Sequence, residues 1–140
     1  MAEVGRATRT ARPEFRNLGL GQLVAYRYPP SAIVSILHRI SGMLIFLVGI
    51  PFVLYLFQNS LTSELSFERY RGIVGSWGGK LVLLVLIWAF VHHVLAGIRF
   101  LTLDLHLMDG REQNALTARI VLGLSVVITL VCALLLFGVI

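Results

Sequence analysis

Apolar residues along this chain gather into three long stretches, each interrupted in a different way by polar ones. The first strictly apolar run, Met43 to Phe57, is shorter than the ~20 residues needed to cross about 30 Å of hydrocarbon. Its helix must therefore extend back through Arg39 and His38 to Ser31, a natural N-cap placed directly after Pro29-Pro30. Pro51 inside this stretch removes one N–H and crowds the preceding turn, which predicts a kink. The second stretch runs from about Lys80 to Leu105, preceded by Gly78-Gly79 and closed by Asp104, Asp109 and Gly110. The third, from about Ala115 to Ile140, is almost uninterrupted. In it Ser125, Thr129, Cys132 and Ala133 fall at helical spacing on one side, a stripe of small residues that reads as helix packing.

Between the first two stretches, residues 59–79 carry Phe67, Tyr70, Val74 and Trp77 at i, i+3, i+7 and i+10. That spacing predicts a short amphipathic helix lying at the interface with its rings at headgroup depth. No internal repeat or low-complexity segment breaks the pattern. The expected fold is an all-α integral membrane bundle of three transmembrane helices, with spans of about 31–58, 80–105 and 115–140. Residues 31–140 form one membrane domain, preceded by an amphipathic N-terminal segment, 1–30.

Composition agrees with that reading. Hydrophobic residues make up 57% of the 140 and charged ones only 14%, and the mean hydropathy is +0.85. A soluble domain carries roughly a quarter charged residues. The net charge of +5 comes mainly from Arg6, Arg9, Arg12, Arg16 and Arg27, against Glu3 and Glu14. These arginines are spread out and lack aromatic interleaving, so nucleic acid is not the expected partner; a membrane surface is. Retention of Lys and Arg on the cytoplasmic side then predicts an N-terminus inside and a C-terminus outside. The first thirty residues lack a continuous apolar core, so no cleavable signal peptide is expected, and an organellar transit segment is the alternative to a bacterial cytoplasmic tail. The single Cys132 precludes an internal disulfide and reads as packing.

This topology brings two polar clusters to similar depth. Ser35, His38, Arg39 and Gly42 share one face of the first helix, with Ser41 in the same string, SILHRISG. On the second helix His93, Gly97 and Asp104 line one stripe, and His92, Ala96, Arg99 and Leu103 the next. Imidazoles are costly in hydrocarbon and seldom occur there without a task. A glycine one turn from a histidine clears room for a flat, bulky group. Haem b suits the arrangement: a neutral imidazole ligates iron, while positive side chains nearer water offset the propionates. The roughly 16 Å from His93 to Asp104 leaves iron at mid-membrane and propionates toward Arg39, His38 and Arg99. Each residue alone also has a plainer reading. Arg99 reads as an arginine that snorkels to phosphate, and His38 fits a helix–helix hydrogen bond equally well. Only the set at matched depth favours a cofactor, and a proton-conducting or transport site would use similar residues. No phosphate loop, cysteine cluster or carboxylate pair is present.

Two strings carry a family resemblance: SILHRISG (Ser35 to Gly42) and HHVLAGIR (His92 to Arg99), the latter followed by Asp104. With the lead-in RPEFRNLGL and RYPPSAIVSILHR and the three-span layout, nearly the whole chain resembles the cytochrome b556 membrane-anchor subunits of succinate dehydrogenase, respiratory complex II. The resemblance implies that His93 is a haem axial ligand, with His92 as the alternative, and that the other ligand comes from a companion anchor subunit. It implies that Ser35 and Arg39 line a quinone site. His38 is implied to lie beside a haem propionate, with Arg39 able to touch both ligands. Many relatives carry a histidine directly after G-I-R, where this chain has Phe100.

The implied function is a haem b-binding anchor of succinate:quinone oxidoreductase in a bacterial inner membrane; a mitochondrial inner membrane is the alternative. The anchor would serve electron transport and the tricarboxylic acid cycle, with no succinate-oxidising site of its own. Its implied partners are a second small membrane-anchor subunit, an iron–sulfur subunit, a flavoprotein subunit, membrane lipid and quinone. The rival readings are a fumarate reductase-type haem anchor and, in another class, a small transporter or channel subunit.

Overall fold

The structure is a computed structural model that describes residues 19–107 and 110–138. In order they form α1 (Leu20–Ala25), α2 (Pro30–Leu44), a π-helical turn (Ile45–Gly49), α3 (Ile50–Leu61), α4 (Glu64–Gly75), α5 (Trp77–Asp104) and α6 (Arg111–Leu136). No strand occurs among the described residues. Among the described residues three segments are long and apolar enough to cross a membrane: Pro30–Leu61, α5 and α6. The expected all-α, three-span architecture is therefore what the chain adopts. Of the N-terminal segment only α1 and its flanks are described; Arg6, Arg9, Arg12 and Arg16 lie outside the described residues.

The first span starts one residue earlier than Ser31. Pro29 is the N-cap and Pro30 the first helical residue, a position where proline forfeits no helical hydrogen bond and brings a suitable φ. Pro51 is accommodated by more than a simple kink. Just before it, the Ile50 N–H donates to the Ile45 carbonyl oxygen, five residues back. Pro51 has no N–H to offer Leu47, and its ring would press on that carbonyl in an ordinary α-turn. The widened turn absorbs the misfit.

The connection between the first two spans folds as anticipated at Phe67 and Tyr70, whose rings stack on α4 at 5.7 Å. Ser63 opens that helix with a capping box: its Oγ accepts from the Ser66 N–H at 3.2 Å, while its own N–H donates to Ser66 Oγ at 2.9 Å. Trp77 departs from expectation because Ser76 ends α4 and caps α5 instead, its Oγ accepting from the Gly79 N–H at 3.0 Å. The break is tight enough that a Cβ on Gly79 would lie 1.8 Å from the Ile73 carbonyl oxygen. Trp77 instead packs on Phe137 (5.0 Å), and Lys80 Nζ sits 5.3 Å over the same ring. These contacts tie the start of α5 to the end of α6.

Helix α5 is the centre of the bundle, packed along both α2 and α6, which also touch each other. The buried cluster is Val34 on α2, Ala96 on α5, and Ala118 and Val121 on α6. Such small residues let helix backbones approach closely, the usual basis of packing in lipid. Many large apolar side chains point outward, as Phe46 and Phe57 do, where hydrocarbon can cover them. Beyond the π turn, α3 leaves α5 and opens an apolar groove of about 470 Å³ between Gly49, Val53, Leu86 and Phe90.

Candidate functional site: a histidine seam between two helices

Helices α2 and α5 meet through reciprocal gaps. Gly42 lies under the His93 ring, so closely that a Cβ there would stand 2.9 Å from His93 Cε1. Gly97 lies under His38, whose Nε2 would be 3.7 Å from an added Cβ. The two imidazoles stack with centroids 4.1 Å apart and planes 12° from parallel. Phe100, at 5.2 Å, flanks His38.

Hydrogen bonding places a hydrogen on one nitrogen of His93. Its Nδ1 lies 3.1 Å from the His38 carbonyl oxygen, which can only accept, so Nδ1 carries the hydrogen. No hydrogen bond within the described residues engages Nε2, and the residue is only half-buried. An imidazole held through Nδ1–H leaves Nε2 as the atom through which it could ligate a metal.

His92 points the other way. It is wholly buried, stacked on Trp88 at 5.6 Å, with Nδ1 3.4 Å from Ser125 Oγ on α6. The Ser125 hydroxyl donates to the Leu122 carbonyl oxygen at 2.9 Å, so it accepts from His92 Nδ1–H. His92 Nε2 is shut off from solvent and has no hydrogen-bond partner among the described residues. Two adjacent histidines thus have opposite surroundings: His92 is sealed inside the chain, His93 is open at its edge.

Arg99 is 4% exposed and turned toward α6. Its Nε donates to Thr117 Oγ1 at 3.1 Å, and Nη2 donates to the Asn114 carbonyl oxygen at 3.1 Å and to Asn114 Oδ1. No hydrogen bond within the described residues uses Nη1. This anchorage accounts for α6 beginning at Arg111, four residues ahead of the expected Ala115: the polar turn is helical because its carbonyl and side chains receive the guanidinium. Ser35 is half-buried and Arg39 exposed. Neither has a hydrogen-bond partner among the described residues, so both have donors to offer a ligand.

The structure thus joins His38, Ser41 and His93 in one seam, with Ser35 and Arg39 on the adjoining turns of α2. It separates His92 and directs most of the Arg99 donors elsewhere. Sequence reasoning overlooked Asn114 and Thr117, although their i, i+3 spacing at the head of an apolar helix was the available signal. Ser125, read as a packing residue, is the partner of His92.

Among the described residues no group of three or more His, Cys, Asp or Glu could cage a metal ion. The fold and seam define a class: a three-span membrane subunit with a half-buried histidine pair between its first span and its central helix. Over residues 9–132 the chain matches the family described as succinate dehydrogenase/fumarate reductase transmembrane subunit, and it belongs to that family. It is 31% identical over 137 residues to the succinate dehydrogenase cytochrome b556 subunit of Paracoccus denitrificans, covering 98% of each chain. To the subunit of the same name from Coxiella burnetii (strain RSA 493 / Nine Mile phase I) it is 34% identical over 104 residues, 74% of this chain and 82% of that one.

Proposed function

We propose that this chain is the haem b-binding membrane anchor of a bacterial succinate:quinone oxidoreductase, oriented with its N-terminus in the cytoplasm. One observation carries the reading: His93 is held by Nδ1 against the His38 carbonyl, with Nε2 uncommitted at the half-buried edge of the seam. The residues fit the group. Gly42 and Gly97 let the two imidazoles nest against the facing helix backbones, which sets the His93 ring at the edge of the seam where a flat macrocycle could meet it. His92 does not fit, because it has no exposed surface. Bound here, haem b supplies a one-electron redox centre. His93 Nε2 would hold the haem iron from this chain, and a companion anchor subunit would supply the remaining protein ligand. Arg39 and the spare Nη1 of Arg99 would offset the propionate charge, and His38 could donate a hydrogen bond to a propionate.

Quinone binds on the adjoining turns of α2. The Ser35 hydroxyl donates to a quinone carbonyl oxygen, and Arg39 stabilises the negative charge that develops there during reduction. Succinate oxidation takes place on a flavoprotein subunit, and an iron–sulfur subunit docked on the cytoplasmic face delivers the electrons. The names of both relatives favour succinate dehydrogenase over fumarate reductase. The arginines of residues 1–30 support the orientation.

The decisive experiment is the reduced-minus-oxidised spectrum of membranes carrying the whole complex. His93→Ala should abolish the haem b band, whereas His92→Leu, which fills the same buried space, should keep it. A normal band in His93→Ala removes the ligand assignment.

A further inference from the structure

Ser41 belongs neither to the quinone pair nor to the charged group, yet it is completely buried in the seam. Its hydroxyl donates to the His38 carbonyl oxygen at 2.9 Å. The lone pairs of the hydroxyl oxygen therefore remain for His93 Nδ1, 3.2 Å away. His93 Nδ1–H consequently meets two acceptors, the Ser41 hydroxyl and the His38 carbonyl oxygen at 3.1 Å. With one acceptor an imidazole can still pivot about its hydrogen bond. A second acceptor, itself anchored to the first, removes much of that freedom. No solvent reaches Ser41, and Gly42 brings the backbone up under the ring, so a water has no room to replace the hydroxyl.

We infer that Ser41 is a positioning residue for His93: its hydroxyl, fixed by the His38 carbonyl, holds the imidazole in one tautomer and one orientation with Nε2 presented outward. This rests on the reading of His93 as axial ligand. Partners of this kind typically change metal affinity by about 10- to 100-fold when removed.

The test compares Ser41→Ala, Ser41→Thr and His93→Ala in the assembled complex in membranes. Ser41→Ala should bind added haem b about tenfold more weakly and shift the paramagnetic resonance lines of the low-spin haem, because the ring plane is freed to turn. Ser41→Thr keeps the hydroxyl and should restore both. A purely structural role would lower the amount of assembled complex without moving the lines. Should the alanine variant fail to assemble, Ser41→Cys keeps the side-chain shape at a slightly larger volume, weakens the hydrogen bond, and must show the same shift. Unchanged lines and unchanged retention in the assembled variant overturn the inference. If His93→Ala simultaneously loses haem, the ligand assignment survives that failure; if His93→Ala retains haem, both fall.

Discussion

The His93 ring lies over Gly42 with no room for a methyl group between them: a Cβ at that position would stand 2.9 Å from Cε1. The imidazole is pinned from the other direction by Nδ1 on the His38 carbonyl, so it cannot simply retreat. Gly42→Ala should therefore displace His93 and reduce haem b absorbance several-fold relative to assembled subunit protein. Gly97→Ala, whose Cβ would meet His38 Nε2 at an ordinary 3.7 Å, should be the milder change within this chain. Equal haem content in the two variants would contradict the steric argument.

His92 holds α5 to α6 through a single long hydrogen bond and leaves Nε2 without a sound partner. Interhelical hydrogen bonds of this kind are worth about 0.6 kcal/mol on average, while removing a buried side chain outright costs about 2–5 kcal/mol. His92→Ala should thus clearly destabilise the bundle. His92→Leu, which fills the space and removes the stranded nitrogen, should be close to neutral. Denaturant unfolding of the solubilised complex, read by helix content, separates the two. A leucine variant as unstable as the alanine one would mean that the imidazole does more than fill space.

Arg99 fastens the end of α5 to the first turn of α6 through Thr117 and Asn114. A lysine cannot reproduce this fork, and each hydrogen bond to a charged group is worth roughly 1.5–3 kcal/mol. Arg99→Lys should loosen the first turn of α6 and expose the bond after Arg111 to trypsin in right-side-out or inverted vesicles, whichever side presents it. Unchanged digestion in both would show that the first turn of α6 is held by something else.

Ser35 and Arg39 make no hydrogen bond within the described residues, so replacing them should leave the bundle intact. Ser35→Ala and Arg39→Ala should slow quinone reduction by roughly 10²-fold or more, the scale for losing a donor aimed at developing charge. Succinate oxidation with an artificial soluble acceptor should survive. Parallel loss of both activities would point to failed assembly.

Much of the architecture was legible in the chain because lipid imposes length and apolarity on every span. The SILHR string and the HHVLAGIR string were likewise readable as residues that share a depth. What periodicity could not show was direction. Whether His92 or His93 faces inward depends on which neighbour packs against which side of α5, and that is decided by Ser125 on α6 and Gly42 on α2. The fate of Arg99 was hidden for the same reason, since its partners sit on α6. Trp77 was assigned to the interfacial helix because its spacing fits, but Ser76 resets the helix just before it. Ser41 stood in plain view in the string, yet its value arises from a ring supplied by another helix.

The π turn at Ile45–Gly49 divides the labour of the first span. Upstream, α2 is keyed into α5 by its histidine and glycine; downstream, α3 is free of that lock. Adding or deleting one residue after Gly49 would swing the far half around its own axis by about 100°, given 3.6 residues per turn, while His38 kept its place. Insertions and deletions should therefore be tolerated in that outer portion far better than anywhere between Ser35 and Gly42.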